Sequence, residues 1–277
     1  MGQIIRVFPH RTAQTPIDPL SFVGDPPLFR PPADEVHISC VFTWDKPEAE
    51  RLRAAWAEHY RVVRVGGPAY DDPGCDFVPG RYITPGVTFT TRGCPNACPW
   101  CFVPKREGNL RCLPIQPGWI VQDNNLTAAP WSHIEAVFQM LRQQPHPINL
   151  AGGLEADRIN DRWLSLLKSV HLGQVFIAYD APGRAGDAQR AIERLRAAGL
   201  SRRRVRCFVL MGRKGDTIED ADSRCQQVLD WGADPFAMLY RDETGGRPGS
   251  EWRNLQRFWS RPAAYRKRQP PTNPTKP

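Results

Sequence analysis

Three cysteines, Cys94, Cys98 and Cys101, fall within eight residues of the stretch "TTRGCPNACPWCFVPKREG". Thiols this close can share one metal centre. A structural zinc site takes four ligands and is closed, and cubane iron–sulfur clusters kept for electron transfer take four cysteines. Three ligands leave one coordination position open, which a centre needs if it is to bind and activate something. On the residues alone three readings stand. They are an iron–sulfur cluster with one free iron, a zinc site completed by a remote histidine, and thiols gathered for packing only.

Composition bounds the setting. The chain has 277 residues, 41% hydrophobic and 24% charged, enough for one large domain or a large and a small one. No run of about 18 apolar residues occurs, so no membrane helix is expected. The start, "MGQIIRVFPHRTAQTP", lacks the apolar core and cleavage site of a secretory signal. The expected compartment is therefore the cytoplasm. There the eight cysteines are expected as thiols, ligands or catalytic groups rather than as a disulfide framework. The net charge of +8 gathers in "LSRRRVRC" (200–207) and in the segment after residue 251. It suits an anionic partner, and equally a solvated face. The final residues, rich in Pro and Lys, are expected to be disordered.

The elements that would carry the loop follow a regular alternation from residue 85. Strands are expected at 86–91, 118–123, 147–151, 174–180, 205–212 and 234–242. Between them lie amphipathic helices. Ile134, Val137, Phe138 and Leu141 share one helical face, with a capping box expected from Ser132 and Glu135. Trp163, Leu166, Leu167 and Val170 mark a second face. A helix over 185–198 ends at Gly199, and another starts near Thr217, capped with Asp220, and turns Ala221, Cys225, Val228 and Leu229 inward. A last helix begins near Ser250. Six such units imply parallel strands with helices outside: an α/β fold, a partial (β/α)6 TIM-like barrel. The first 84 residues read as a small α/β N-terminal region and linker, with strands at 34–44 and 61–67 around a helix at 47–60. Residues 85–250 form the barrel, and 251–277 a basic C-terminal helix and tail. The cysteine loop follows the first barrel strand directly, at the end of the sheet where barrel enzymes place their chemistry.

The loop, with Trp100 just before its third cysteine, resembles that of the radical S-adenosylmethionine (radical SAM) superfamily. The resemblance covers about residues 85 to 245. With "VQDNN" and "GGLEADRI", the chain is similar to phage and bacterial members whose substrates are largely unassigned. The resemblance implies a [4Fe–4S] cluster on Cys94, Cys98 and Cys101, with S-adenosylmethionine on the fourth iron. It implies reductive cleavage to methionine and a 5′-deoxyadenosyl radical that takes hydrogen from a substrate. A flavodoxin- or ferredoxin-type reductant is the implied partner. The cofactor carries the hard chemistry, and the protein orients it and excludes water.

The same resemblance directs attention to the strand ends as cofactor contacts. These are Trp100, then Asp123 and Asn125 after the second strand, where the family's usual Gly-Gly-Glu is absent. They continue with Gly152, Gly153 and Glu155 after the third, Tyr179 and Asp180 after the fourth, and Gly212 after the fifth. Arg92, Lys105 and Arg106 flank the loop and would raise the potential of an anionic centre. Cys207 and Cys225 are expected as buried thiols. Cys75 and Cys112 lie in flanking loops with a role the sequence leaves open. No second CxxC pair supports an auxiliary cluster, and no DxHxxG stretch supports cobalamin. Trp252, Phe258, Trp259 and Tyr265 among the C-terminal arginines point to a nucleotide or nucleic-acid substrate, since aromatics stack bases. A helix packing its aromatics inward explains the same residues. Two other functions remain in view: a non-catalytic, metal-stabilised nucleic-acid-binding protein, and a tRNA-modifying radical SAM enzyme.

Overall fold

The computed structural model describes residues 2–70, 77–242 and 244–268. Cys75 and the expected disordered tail at 269–277 lie outside the described residues. The chain divides into two compact units. The first closes at His146 and takes in Gly245, and the second runs from Pro147 to Asp242 and resumes at Gly246.

The first unit opens with β1 (Ile4–Phe8), β2 (Ser21–Val23), β3 (Glu35–Ser39), α1 (Lys46–Ala57) and β4 (Val63–Gly66). The strands form a parallel sheet in the order β2-β1-β3-β4, with Val36 opposite both Ile5 and Val63. β3 alternates buried and half-buried residues as a one-sided strand must. α1 turns Ala49, Leu52 and Trp56 onto the sheet, where they join Ile5, Val7, Val36 and Ile38. Trp56 also donates its indole N–H to the Gly24 carbonyl at 3.0 Å. The sequence reading found β3, α1 and β4 but not β1 or β2, whose short apolar runs lie among prolines.

The unit continues with β5 (Val87–Thr88), β6 (Thr91–Arg92), α2 (Val103–Glu107), β7 (Arg111–Cys112), β8 (Ile120–Val121) and α3 (Trp131–Leu141). β5 pairs parallel with β8, and β6 pairs antiparallel with β7. The single strand expected at 86–91 is thus broken in two. The break has a cause: the backbone N–H of Thr90 is taken by the Asp123 carboxylate at 2.6 Å. α3 buries Ile134, Val137, Phe138 and Leu141 as expected. The capping box of Ser132 and Glu135 does not form. The N-cap falls on Pro130, which has no side-chain acceptor, and Ser132 lies inside the first turn, so the helix has no side-chain cap.

In the second unit strand and helix alternate without interruption: β9 (Ile148–Leu154), α4 (Asp161–Lys168), β10 (Leu172–Ala178), α5 (Ala185–Ala197), β11 (Val205–Met211), α6 (Ile218–Asp230) and β12 (Asp234–Leu239), then α7 (Ser250–Trp259) and α8 (Pro262–Tyr265). Val170 lies beyond α4 rather than on its face. Thr217 caps α6 by accepting from the Asp220 N–H at 3.1 Å, and Gly199 ends α5 with φ +93°. Six strands stand in one parallel sheet in the order β12-β11-β10-β9-β8-β5, which is chain order. The protein is thus a mixed α/β fold with a six-stranded parallel sheet and eight helices among the described residues. No helix among them is long and apolar enough to cross a membrane. At the C-terminus Trp259 and Tyr265 are buried, their rings stacked 5.4 Å apart, and the Trp259 indole donates to Asp222 at 2.7 Å. Those two aromatics serve packing.

Candidate functional site

The cysteine loop runs from Gly93 at the end of β6 to Phe102 at the start of α2. Three consecutive side chains after β8 hold its root. Asp123, 2% exposed, accepts from the Thr90 N–H at 2.6 Å and the Thr90 hydroxyl at 2.5 Å. The Asn124 side-chain oxygen accepts from the Gly93 N–H at 3.2 Å. The Asn125 amide donates to Cys94 Sγ at 3.3 Å. The amide's orientation is fixed independently, because its oxygen accepts from the Thr127 hydroxyl at 2.7 Å and the Ala128 N–H at 3.3 Å. His133 adds a fourth hold, donating from Nε2 to the Thr90 carbonyl at 2.9 Å.

Gly93 is where the chain needs glycine. Its φ is +77°, and a Cβ there would collide with the Asn109 carbonyl. Past it, the loop closes on itself through Cys94 N–H to Gly108 O at 3.2 Å and Cys101 N–H to Cys98 O at 3.0 Å. The Asn96 N–H donates to Cys94 Sγ at 3.5 Å, so this sulfur faces two N–H donors.

Burial pushes the Asp123 carboxyl above the usual carboxylate range, against the pull of the Thr90 and Thr91 donors. Hydrogen bonds to an ionised acceptor contribute roughly 1.5–3 kcal/mol each, which offsets part of the cost of desolvating it. Asp123 therefore ties the loop's root rather than presenting a free carboxylate. The flanking cations are engaged as well. Arg92 pairs with Glu107 at 3.7 Å and lies 3.9 Å over the Phe89 ring, and Arg106 donates to the Thr43 hydroxyl at 3.2 Å.

Cys94, Cys98 and Cys101 form no disulfide and are of intermediate exposure, and Trp100 is also half-buried. Among the described residues no three His, Cys, Asp or Glu side chains stand ready-gathered as metal ligands. The donor set nonetheless suits an iron–sulfur centre. Three thiols outside any disulfide share one short loop, and the first carries N–H donors of the kind that tune such sulfurs. The other cysteines differ in kind. Burial holds Cys207 and Cys225 well above the ordinary thiol value and pushes Cys40 up to about 11, so all three are neutral at pH 7. Cys112 is exposed opposite Thr91 on the hairpin beside the loop, its thiol raised chiefly by desolvation.

The remaining sequence-predicted contacts belong to the second unit, where the structure gives them local partners. Gly152 and Gly153 end β9 half-buried, and a Cβ on Gly153 would meet the Phe208 ring at 3.3 Å. Glu155 pairs with Arg158. Tyr179, 1% exposed, donates its hydroxyl to Gln227 at 2.8 Å, so it anchors α6 rather than an open face. Asp180 accepts from the Leu210 N–H at 2.9 Å. Gly212 takes φ +81° against Pro248, and its N–H donates to Asp216 at 3.0 Å. Asp216 in turn forms a buried pair with Arg224 at 2.9 Å.

Sequence reasoning named Asp123 and Asn125 for a cofactor and passed over Thr90, His133 and Arg224. A run of three small polar residues directly after a strand was the available signal for the clamp. No protein-family model matches this chain, and no curated protein matches it.

Proposed function

We propose that the chain is a radical SAM enzyme, with Cys94, Cys98 and Cys101 as the ligands of a [4Fe–4S] cluster. The observation that carries this reading is the clamp, in which Asp123, Asn124 and Asn125 hold Thr90, Gly93 and Cys94 in register. It fixes the loop's start at Cys94, and Cys98 and Cys101 follow within the same short loop. When bound, such a cluster with S-adenosylmethionine on its open iron supplies one-electron cleavage to methionine and a 5′-deoxyadenosyl radical, which takes a hydrogen atom from substrate. The chain's own part is to seat the sulfurs, set their hydrogen bonds and shape the substrate's surroundings. The six parallel strands in chain order suit a partial barrel, and Trp100 lies in the same loop as the three cysteines. A cytoplasmic setting with a flavodoxin- or ferredoxin-type reductant completes the proposal.

The test is oxygen-free purification, then incubation with S-adenosylmethionine and dithionite. The expected result is a brown protein that releases 5′-deoxyadenosine, with release abolished by replacing any of the three cysteines with alanine. A colourless zinc protein, or release that survives Cys98→Ala, overturns the reading.

A further inference from the structure

β11 has two unlike faces. Val205, Cys207, Val209 and Met211 are all fully buried, while Arg206, Phe208 and Leu210 between them are half-exposed. On that second face the neighbouring strands bring up two more aromatics. Phe176 of β10 lies opposite Arg206, and Phe236 of β12 lies opposite Phe208. The rings pack together, Phe176 to Phe208 at 4.8 Å and Phe208 to Phe236 at 5.4 Å edge-on. Phe236 is 40% exposed, unusual for a phenylalanine within a strand. Phe176, 8% exposed, backs the cluster, and Phe208 and Phe236 are the rings that offer surface to something planar.

Arg206 lies on this platform, its guanidinium carbon 5.7 Å from the Phe176 centroid and 5.3 Å from that of Phe236. Its Nε is buried without a hydrogen-bond partner, and among the described residues Arg206 makes no ion pair. Its register neighbour Asp234 is already engaged by Arg202 at 3.2 Å and Arg266 at 2.8 Å. Two arginines thus engage this carboxylate, and Arg206, beside it in register, adds a third positive charge and leaves a local excess. An arginine stacked on aromatics is held in plane and presents its fork to a carboxylate or phosphate. Surplus charge of this size favours a dianion over a monoanion.

We infer that the Phe176–Phe208–Phe236 face with Arg206 is a nucleotide-binding site, the base on the phenylalanines and the 5′-phosphate on Arg206. As the site of the substrate it rests on the radical SAM reading; as a binding site it does not.

The experiment is calorimetric titration of the full chain, with and without iron, with the four ribonucleoside 5′-monophosphates, their nucleosides and inorganic phosphate. At least one monophosphate is expected to bind roughly tenfold more tightly than its nucleoside or phosphate alone. Arg206→Gln should reduce it to the affinity of the nucleoside, and Arg206→Lys should restore part of the difference. Phe236→Ala, at an exposed ring that the fold can spare, should weaken nucleotide and nucleoside alike by about tenfold. Equal binding of nucleotide and nucleoside, no binding, or an Arg206→Gln protein that binds as the parent does overturns the site. Nucleotide binding by a protein that never cleaves S-adenosylmethionine upholds the site and removes only its role in radical chemistry.

Discussion

Asn125 stands 31 residues from Cys94 in the chain, yet its amide N–H reaches that sulfur. A donor on a ligating thiolate withdraws charge and makes the centre easier to reduce. Asn125→Asp keeps the oxygen that accepts from Thr127 and Ala128 but replaces the N–H with a further acceptor. Potentiometric titration of the reconstituted variant should give a more negative midpoint potential than the parent; an unchanged value would show that the contact has no electronic role. At this scale the sequence showed candidate residues and hid their geometry. The thiols and the polar run after β8 were visible as candidates. That Asp123 and Asn125 turn back to Thr90 and Cys94 was not, because contacts across more than 30 residues leave no local pattern. Tyr179 shows the same limit. A strand end advertises a polar tip, and only packing shows that it faces Gln227.

Among elements, the link between β10 and β11 carries a pH dependence. Asp180 accepts from the Leu210 N–H, and desolvation raises its carboxyl above the ordinary value of 3.8. A raised pKa means that the folded chain holds the proton more tightly than the unfolded chain does. Stability from this source is complete below about pH 4 and is lost as pH rises through the folded value. Asp180→Asn retains an acceptor for Leu210 and does not ionise. Its melting temperature relative to the parent should therefore rise between pH 4 and 7; a difference that stays flat or falls would assign the shift to other groups. The helices α3, α5 and α6 were readable because a buried face repeats every three or four residues. β1 and β2 were not, since a five-residue strand among prolines carries too few alternations. The division of the strand expected at 86–91 was hidden for another reason: a side chain, Asp123, takes a ladder donor.

The molecule as a whole joins a small parallel sheet, β2-β1-β3-β4, and a six-stranded one in chain order. The larger sheet could be foreseen because strand and helix alternate with short connections, which makes parallel neighbours the economical arrangement. The charge of +8 suits an anionic partner and equally a solvated face, and it points to no particular place on the fold. Neither the sheet nor the charge decides the chemistry; in the proposed reading an incompletely ligated iron would. Electron paramagnetic resonance of the dithionite-reduced protein, recorded before and after adding S-adenosylmethionine, tests this directly. A reduced [4Fe–4S] signal whose g-values shift on addition is the expected outcome. A signal that does not respond to S-adenosylmethionine, or no iron signal at all in protein carrying zinc, would contradict it.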